Sequence, residues 1–414
     1  MTPLPPRPFA IRALNAIGDV LRGIGLPLLD LDAEDLRARA TRKTGLDDFG
    51  DDKFREPFGL LLDSLEREAN LTLLGRIIAR TDFVRLLENR LSMVAARKRH
   101  PEIADGGIER PLVIVGLPRT GTTILHQLMA QDPANRVPMT WEVQHVHPPP
   151  ERASYETDPR IAAVEEHLSG VDRLIPNFKA MHPMGATLPQ ECVALTAHDF
   201  ASMLFTTTHT LPTYQAWLDR NDLRWVYASH RRQLQYLQWR CPAERWVLKS
   251  PGHLWTMEAL LAEYPDARIV QTHRDPLRVI ASLASLVTLL RSMASDVIDQ
   301  RAIGLEWTER LAAGLEHAAT VRAARPADAP AVFDMHFQDF IRDEIGMVRQ
   351  IYAHFGLELT PEAEGRMRRF LAANPKDKHG AHRYTLADAG LDLATERARY
   401  AGYRERYGIA AEPV

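Results

Sequence analysis

The chain has 414 residues, 45% of them hydrophobic and 25% charged, with a formal net charge of −3. That length exceeds a single small core and predicts one large domain with an appendage, or two domains. The near-neutral balance excludes the basic footprint of a nucleic-acid binder, so no nucleic-acid partner is expected.

The opening stretch, MTPLPPRPFAIRALNAIGDVL, lacks an apolar core beside a small-residue cleavage site, and no signal peptide is read there. Residues 8 to about 100 predict helices. Leu60, Leu61 and Leu65, then Leu71, Leu74 and Ile78, recur at helical spacing, the pattern of an amphipathic layer packed on a core. At Pro111 the texture changes. LVIVG, 112–116, is a short β-rich run that passes at once into glycine and a helix, the start of an α/β unit. Residues 135–190, rich in proline and histidine, predict an irregular connection over a sheet edge. RWVLK, 245–249, and ARIVQTH, 267–273, predict further strands. The helix between them sets Leu254, Met257, Leu260 and Leu261 on one face. A βαβ crossover of this kind is right-handed and puts both strands in one parallel sheet. VIASLASLVTLL, 279–290, is the longest apolar run; it has the length of a buried helix and falls short of the ~20 residues of a bilayer span. AVFDMHF, 331–337, predicts one more strand, followed by helices at about 338–355 and 361–373. Cys192 and Cys241 are the two cysteines. They are too few for a disulfide framework and fit a reducing, cytoplasmic location.

Chemistry concentrates where strands end. GLPRTGTT follows the 112–116 strand, at the carboxyl end where a helix N-terminus offers unpaired N–H groups to an anion. Gly116 and Gly121 allow close backbone approach, while Thr120, Thr122 and Thr123 add hydroxyls. A nucleotide triphosphatase loop would carry Lys and Ser/Thr after its second glycine. Here Thr122 stands where that lysine belongs, and the cation is Arg119 inside the loop. No strand ends in an obvious metal-binding aspartate. The loop therefore predicts an anionic ligand without triphosphate cleavage. After the 267–273 strand comes HRDPLRVIAS, with Ser282 eight residues beyond Arg274; a guanidinium fork and a hydroxyl suit a terminal phosphate.

Taken together, these segments resemble the sulfotransferases that use 3′-phosphoadenosine 5′-phosphosulfate (PAPS). PRTGTT resembles their 5′-phosphosulfate loop, and Arg274 with Ser282 their 3′-phosphate segment. WVLKSPGHLW resembles the Lys-Ser/Thr-Pro segment of Golgi-type and bacterial members, whose lysine, here Lys249, contacts the oxygens around the transferred group. The basic stretch 374–392 is similar to a loop that closes over the nucleotide in bacterial members. The resemblance covers roughly residues 110–410. It implies an α/β fold, a three-layer parallel sheet flanked by helices of the P-loop nucleotide-binding-like kind, with an N-terminal helical extension. The division expected is a helical region at 1–108 and a sulfotransferase domain at 109–414.

The implied reaction moves a sulfuryl group from PAPS to a hydroxyl acceptor and releases adenosine 3′,5′-bisphosphate. Such a displacement has a loose transition state, so the protein chiefly positions groups and neutralises charge. Donor contacts are expected from Arg119, Thr120, Gly121, Thr122, Thr123, Arg274 and Ser282. Arg119 and Lys249 would meet the charge that gathers on the bridging oxygen. No metal is required, and the pair His145 and His147 lacks Cys or acidic company. A base must accept the hydroxyl proton. Glu142 ranks first, because its interval from the loop is similar to that of the catalytic glutamate in tyrosylprotein and heparan sulfotransferases. His253 ranks second, and Glu191, at a helix start, is the third candidate. Trp141 is expected either beside the acceptor or in the core. The acceptor is expected to be a small-molecule, lipid or carbohydrate hydroxyl in a pocket built from 135–240 and the N-terminal helices, where the apolar content fits either a lipid-like or aromatic alcohol or simply buried helix. The alternatives are a small-molecule kinase on a related fold and a non-catalytic nucleotide-binding module.

Overall fold

A computed structural model describes residues 7–25, 29–174, 184–375 and 386–413. At its centre are five parallel strands: β1 (Leu112–Gly116), β2 (Asn135–Arg136), β3 (Arg245–Lys249), β4 (Arg268–His273) and β5 (Phe333–His336). Their order across the sheet is β2-β3-β1-β4-β5. Every residue of β1 is buried, as expected of a central parallel strand covered on both faces. The side chains alternate between those faces. Val113 and Val115 join the core shared with Leu248 and Ile269. Leu112 and Ile114 join the opposite layer, with Val247, Val270, Met335, Phe340 and Ile351.

The chain leaves β1 for the far edge, returns through β3, and then builds outward on the other side through β4 and β5. The order thus switches direction around β1, the place where an open α/β sheet leaves a crevice beyond its carboxyl ends. Register brings the relevant ends level. Ile114 pairs with Lys249 on β3, and Gly116 pairs with Thr272 on β4.

The described parts of the segment expected to be irregular, 135–174 and 184–190, are more ordered than its composition suggests. Residues 135–190 contain β2 and the helices Thr140–Gln144 and Pro159–Leu174. The proline–histidine run occupies only the turn between those helices. The helical stretch expected at 338–355 is two helices, Phe337–Arg342 and Glu344–His354. The break falls at Asp343, whose carboxylate caps the second helix by accepting from the Gly346 N–H at 2.8 Å.

The N-terminal helices Ala33–Thr44, Arg55–Arg67 and Leu73–Arg99 have no core of their own. Phe54, Phe58 and Phe83 gather around Phe200, with the Phe58 and Phe200 rings 4.2 Å apart. The core therefore crosses residue 108 without a break. Arg90 locks the same junction, donating to Asp199 at 2.6 Å with both side chains buried. Among the described residues, no helix is long and apolar enough to cross a membrane.

Candidate active site

The loop after β1 is shaped by its own residues before any ligand is considered. Gly116 lies so close to β4 that a Cβ there would sit 2.0 Å from the Thr272 hydroxyl. Arg119 and Gly121 both adopt positive φ, 66° and 89°. For Gly121 this costs little, and for Arg119 it stores strain of a kind common where backbone is aimed at a ligand. Thr120 is fully buried. Its hydroxyl donates to the Leu117 carbonyl at 2.6 Å and shares a 2.5 Å hydrogen bond with Thr272. The Thr120 side chain thus braces the loop from behind. The helix that follows, Thr122–Met129, has no side-chain cap at its N-terminus. Its first N–H groups and its dipole are thus directed toward the crevice.

Lys249, at the end of β3, reaches the same place. Its side chain is 3% exposed, and it donates to the Glu191 carboxylate and, at 3.5 Å, to the Thr123 hydroxyl. Glu191 is the N-cap residue of the short helix Cys192–Thr196, yet its side chain does not cap that helix. The carboxylate is turned to Lys249 instead and keeps 19% exposure. Behind them, His126 donates from Nε2 to the Val247 carbonyl at 3.1 Å. Burial and the Lys249 ammonium push its pKa down to about 3, so it adds no charge to the site.

Glu142 is elsewhere. It is fully buried. One oxygen binds Arg136 at 2.6 Å and the other accepts from the Met139 N–H at 2.9 Å. A base needs an oxygen that meets the substrate, and Glu142 has both oxygens committed inside the protein. Its described contacts reach the site through the backbone. Met139 starts the helix Thr140–Gln144 and bridges to Pro189. Thr140 N–H donates to Leu188, Trp141 N–H to Ala186, and Gln190 N–H to Pro138. Glu142 thereby anchors the segment that delivers Glu191.

His253 is likewise buried. Its Nδ1 shares a 2.7 Å hydrogen bond with the Tyr227 hydroxyl, and burial together with His230 takes its pKa to about 3. It fixes the Pro251–Leu254 turn that follows Lys249. Trp141 is a core residue, packed with Val164, Leu168 and Ala186. His147 bonds the Tyr236 hydroxyl at 2.7 Å. Among the described residues no cluster of metal-ligating side chains occurs.

Arg274 follows β4 and faces the loop from the other side. It donates to the Arg119 carbonyl at 2.8 Å and lies over the Phe337 ring at 4.0 Å. Its remaining N–H groups hold Glu412 at 3.0 Å. Ser282 sits half-buried on the helix Pro276–Ser292 that starts beside Arg274. The basic stretch 374–392 lies for its central part, 376–385, outside the described residues. Glu412 carries no local signal in the sequence, because its contact depends on the tail folding back onto β4.

The loop, the β3 lysine and the β4 arginine thus converge at one end of the sheet. Residues 111–361 match the Sulfotransferase family. The sulfotransferase STF1 of Mycobacterium tuberculosis H37Rv is 36% identical with a TM-score of 0.80, over 90% of this chain and 98% of that one. STF9 of Mycobacterium avium is 31% identical with a TM-score of 0.85, over 92% of this chain and 98% of its own. The omega-hydroxy-beta-dihydromenaquinone-9 sulfotransferase Stf3 of Mycobacterium bovis is 24% identical over 300 residues, 68% of this chain and 71% of that protein. With a family match across most of the α/β domain and two solved relatives superimposing over nearly the whole fold, the chain belongs to the sulfotransferase family and is a PAPS-dependent enzyme.

Proposed function

We propose that the transfer is carried out by Arg119, Lys249 and Glu191, with the acceptor a hydroxyl on an apolar molecule. The observation that carries this reading is the meeting of Lys249, Glu191 and Thr123 at the uncapped helix N-terminus. The N–H groups of 119–123 suit the 5′-phosphosulfate. The cations of Arg119 and Lys249 suit the charge that develops on the bridging oxygen. The acceptor oxygen attacks sulfur, the bond from sulfur to the bridging oxygen breaks, and adenosine 3′,5′-bisphosphate departs with that oxygen. The hydroxyl proton passes to Glu191. In this scheme Lys249 turns from Glu191 toward the bridging oxygen when the donor binds, which frees the carboxylate to accept the proton. Arg274 and Ser282 are assigned to the 3′-phosphate, with Glu412 giving way to it. No step needs a metal, so activity is expected to persist in excess chelator.

The apolar acceptor is supported by what stands beside the pair. A Cβ on Gly252 would lie 2.8 Å from Met203 Sδ and 3.2 Å from Val193, and both of those side chains are half-buried. Stf3, by its name, acts on an omega-hydroxylated menaquinone, and a lipid-like alcohol fits the same wall. Residues 109–414 are assigned to catalysis, with 1–108 bracing the acceptor side. A cytoplasmic location is our expectation, and it accords with Cys192 and Cys241, which are free and buried. The test is a panel of long-chain and short-chain alcohols with labelled PAPS. Transfer to the long-chain members is expected; transfer only to sugars or to none would sink the acceptor assignment.

A further inference from the structure

The helix Phe9–Gly23 has two apolar faces, and the fold uses one. Its inner side is anchored closely. Asn15 accepts from the Leu74 N–H at 3.2 Å, and a Cβ on Gly18 would lie 2.7 Å from Leu73 Cβ. On its outer side Phe9, Ala13, Ala16, Ile17, Val20 and the C-cap Ile24 fall within an arc of roughly 100°, at 3.6 residues per turn. No charged residue lies in that arc. Phe9 is 77% exposed, Ile17 56%, Val20 64% and Ile24 66%. Val297, 66% exposed, follows Asp296, which pairs with Arg7 at the start of the helix at 2.6 Å.

We propose that this face docks the protein on an anionic lipid surface. Charge favours that occupant. Residues 7–25 carry Arg7, Arg12 and Arg22 against Asp19 alone, in a chain whose net charge is −3. Arg12 borders the apolar arc on one side, while Arg7 is engaged by Asp296 and Arg22 by the Leu71 carbonyl on the packed side; an apolar stripe with arginine at its border is the pattern of helices that lie in the plane of a membrane interface. Area disfavours a second copy of the chain. The outer side chains offer on the order of 500 Å², less than the roughly 800 Å² per partner of a stable protein interface. Length excludes spanning, since this helix is only about 22 Å long at 1.5 Å per residue. The geometry leaves the donor site free. Arg7 ties the helix to the Ser295 carbonyl, at 2.9 Å, just past the end of the helix Pro276–Ser292. Arg274 stands at the opposite end of that helix, about 25 Å away at the same rise. Docking is independent of how donor and acceptor are assigned.

The full chain is sedimented with vesicles of phosphatidylcholine alone and of an equal mixture with phosphatidylglycerol. Binding to the mixed vesicles is expected. Ile17→Ser combined with Val20→Ser is expected to weaken it by at least about tenfold, since interfacial affinity follows buried apolar area. Arg12→Gln is expected to weaken binding to the mixed vesicles only. Unchanged adenosine 3′,5′-bisphosphate affinity in both variants reports an intact fold. Failure of the wild-type chain to bind either vesicle overturns the proposal, as does equal binding by the double variant. A dimer seen by light scattering and abolished by the double variant, without vesicle binding, would instead make the face a self-interface.

Discussion

Lys249 and Glu191 hold each other at the mouth of the loop, although 58 residues separate them in sequence. The ammonium is nearly buried and the carboxylate is the more exposed member. That asymmetry suits a base that must meet an incoming hydroxyl and a cation that must stay dry. Glu191→Gln should keep affinity for adenosine 3′,5′-bisphosphate and lower turnover on an aliphatic alcohol by ~10²–10⁴-fold. Single-turnover rates near wild type would remove Glu191 from the chemistry.

Glu142 should behave differently. Truncation to alanine leaves Arg136 buried without its partner, and breaking such a pair costs roughly 3–5 kcal/mol. Urea titration should show that loss, and turnover should fall only as far as the Glu191 segment loosens. A Glu142→Ala chain of normal stability with no activity would restore Glu142 as the base.

Arg119→Ala and Lys249→Ala should each lower the transfer rate more than they weaken donor binding. Their charges matter most when the bridging oxygen becomes anionic, and a lost donor in such a site costs ~2.7–4 kcal/mol. Equal losses in binding and rate would mean that they hold the ground state only.

The Arg274–Glu412 pair makes an opposed pair of predictions. Arg274→Ala removes a charge-assisted contact worth ~1.5–3 kcal/mol, so calorimetry should find adenosine 3′,5′-bisphosphate bound one to two orders of magnitude more weakly, roughly, on that scale. Glu412→Ala should tighten the same nucleotide, because a competing carboxylate is gone. It should leave adenosine 5′-phosphate, which lacks the 3′-phosphate, unchanged. Weaker nucleotide binding in Glu412→Ala would show that the tail supports the site rather than competing for it.

Acid stability follows from the buried histidines. Burial holds His126, His198, His230 and His253 at about 3 and His209 at about 4, against ~6.5 for a free imidazole. Between those limits the unfolded chain binds protons that the folded chain does not, so unfolding is favoured as pH falls. Stability should be level above about pH 6.5 and drop steeply toward pH 4, on that linkage. A melting temperature that holds steady down to about pH 4.5 would contradict the burial of these rings.

The parts legible in sequence are those where chemistry sits directly behind a strand. LVIVG announces its loop, RWVLK ends on Lys249, and ARIVQTH hands over to Arg274. In each case a local pattern and a functional residue are neighbours in the chain. Glu191 is harder to read. Its position depends on residues 138–141 pairing with 186–190, a contact across some fifty residues that no local spacing encodes. Interval alone points to Glu142, and its buried partner Arg136 lies on a two-residue strand too short to show alternation. Glu412 and the packing of the N-terminal helices are non-local in the same sense.

The ring contact between Phe58 and Phe200 bears on how acceptor preference could be exchanged between relatives. The first helices grip the 192–208 segment through aromatic side chains and through the Arg90–Asp199 pair, and that segment begins one residue after Glu191. A chimera that imports residues 1–108 from a relative would set foreign rings against native Phe200 and Phe205, and packed interiors tolerate such mismatch poorly. On the proposed assignment of the acceptor side, the unit to exchange is discontinuous: the N-terminal helices together with 192–208, moved as one piece onto an unchanged sheet.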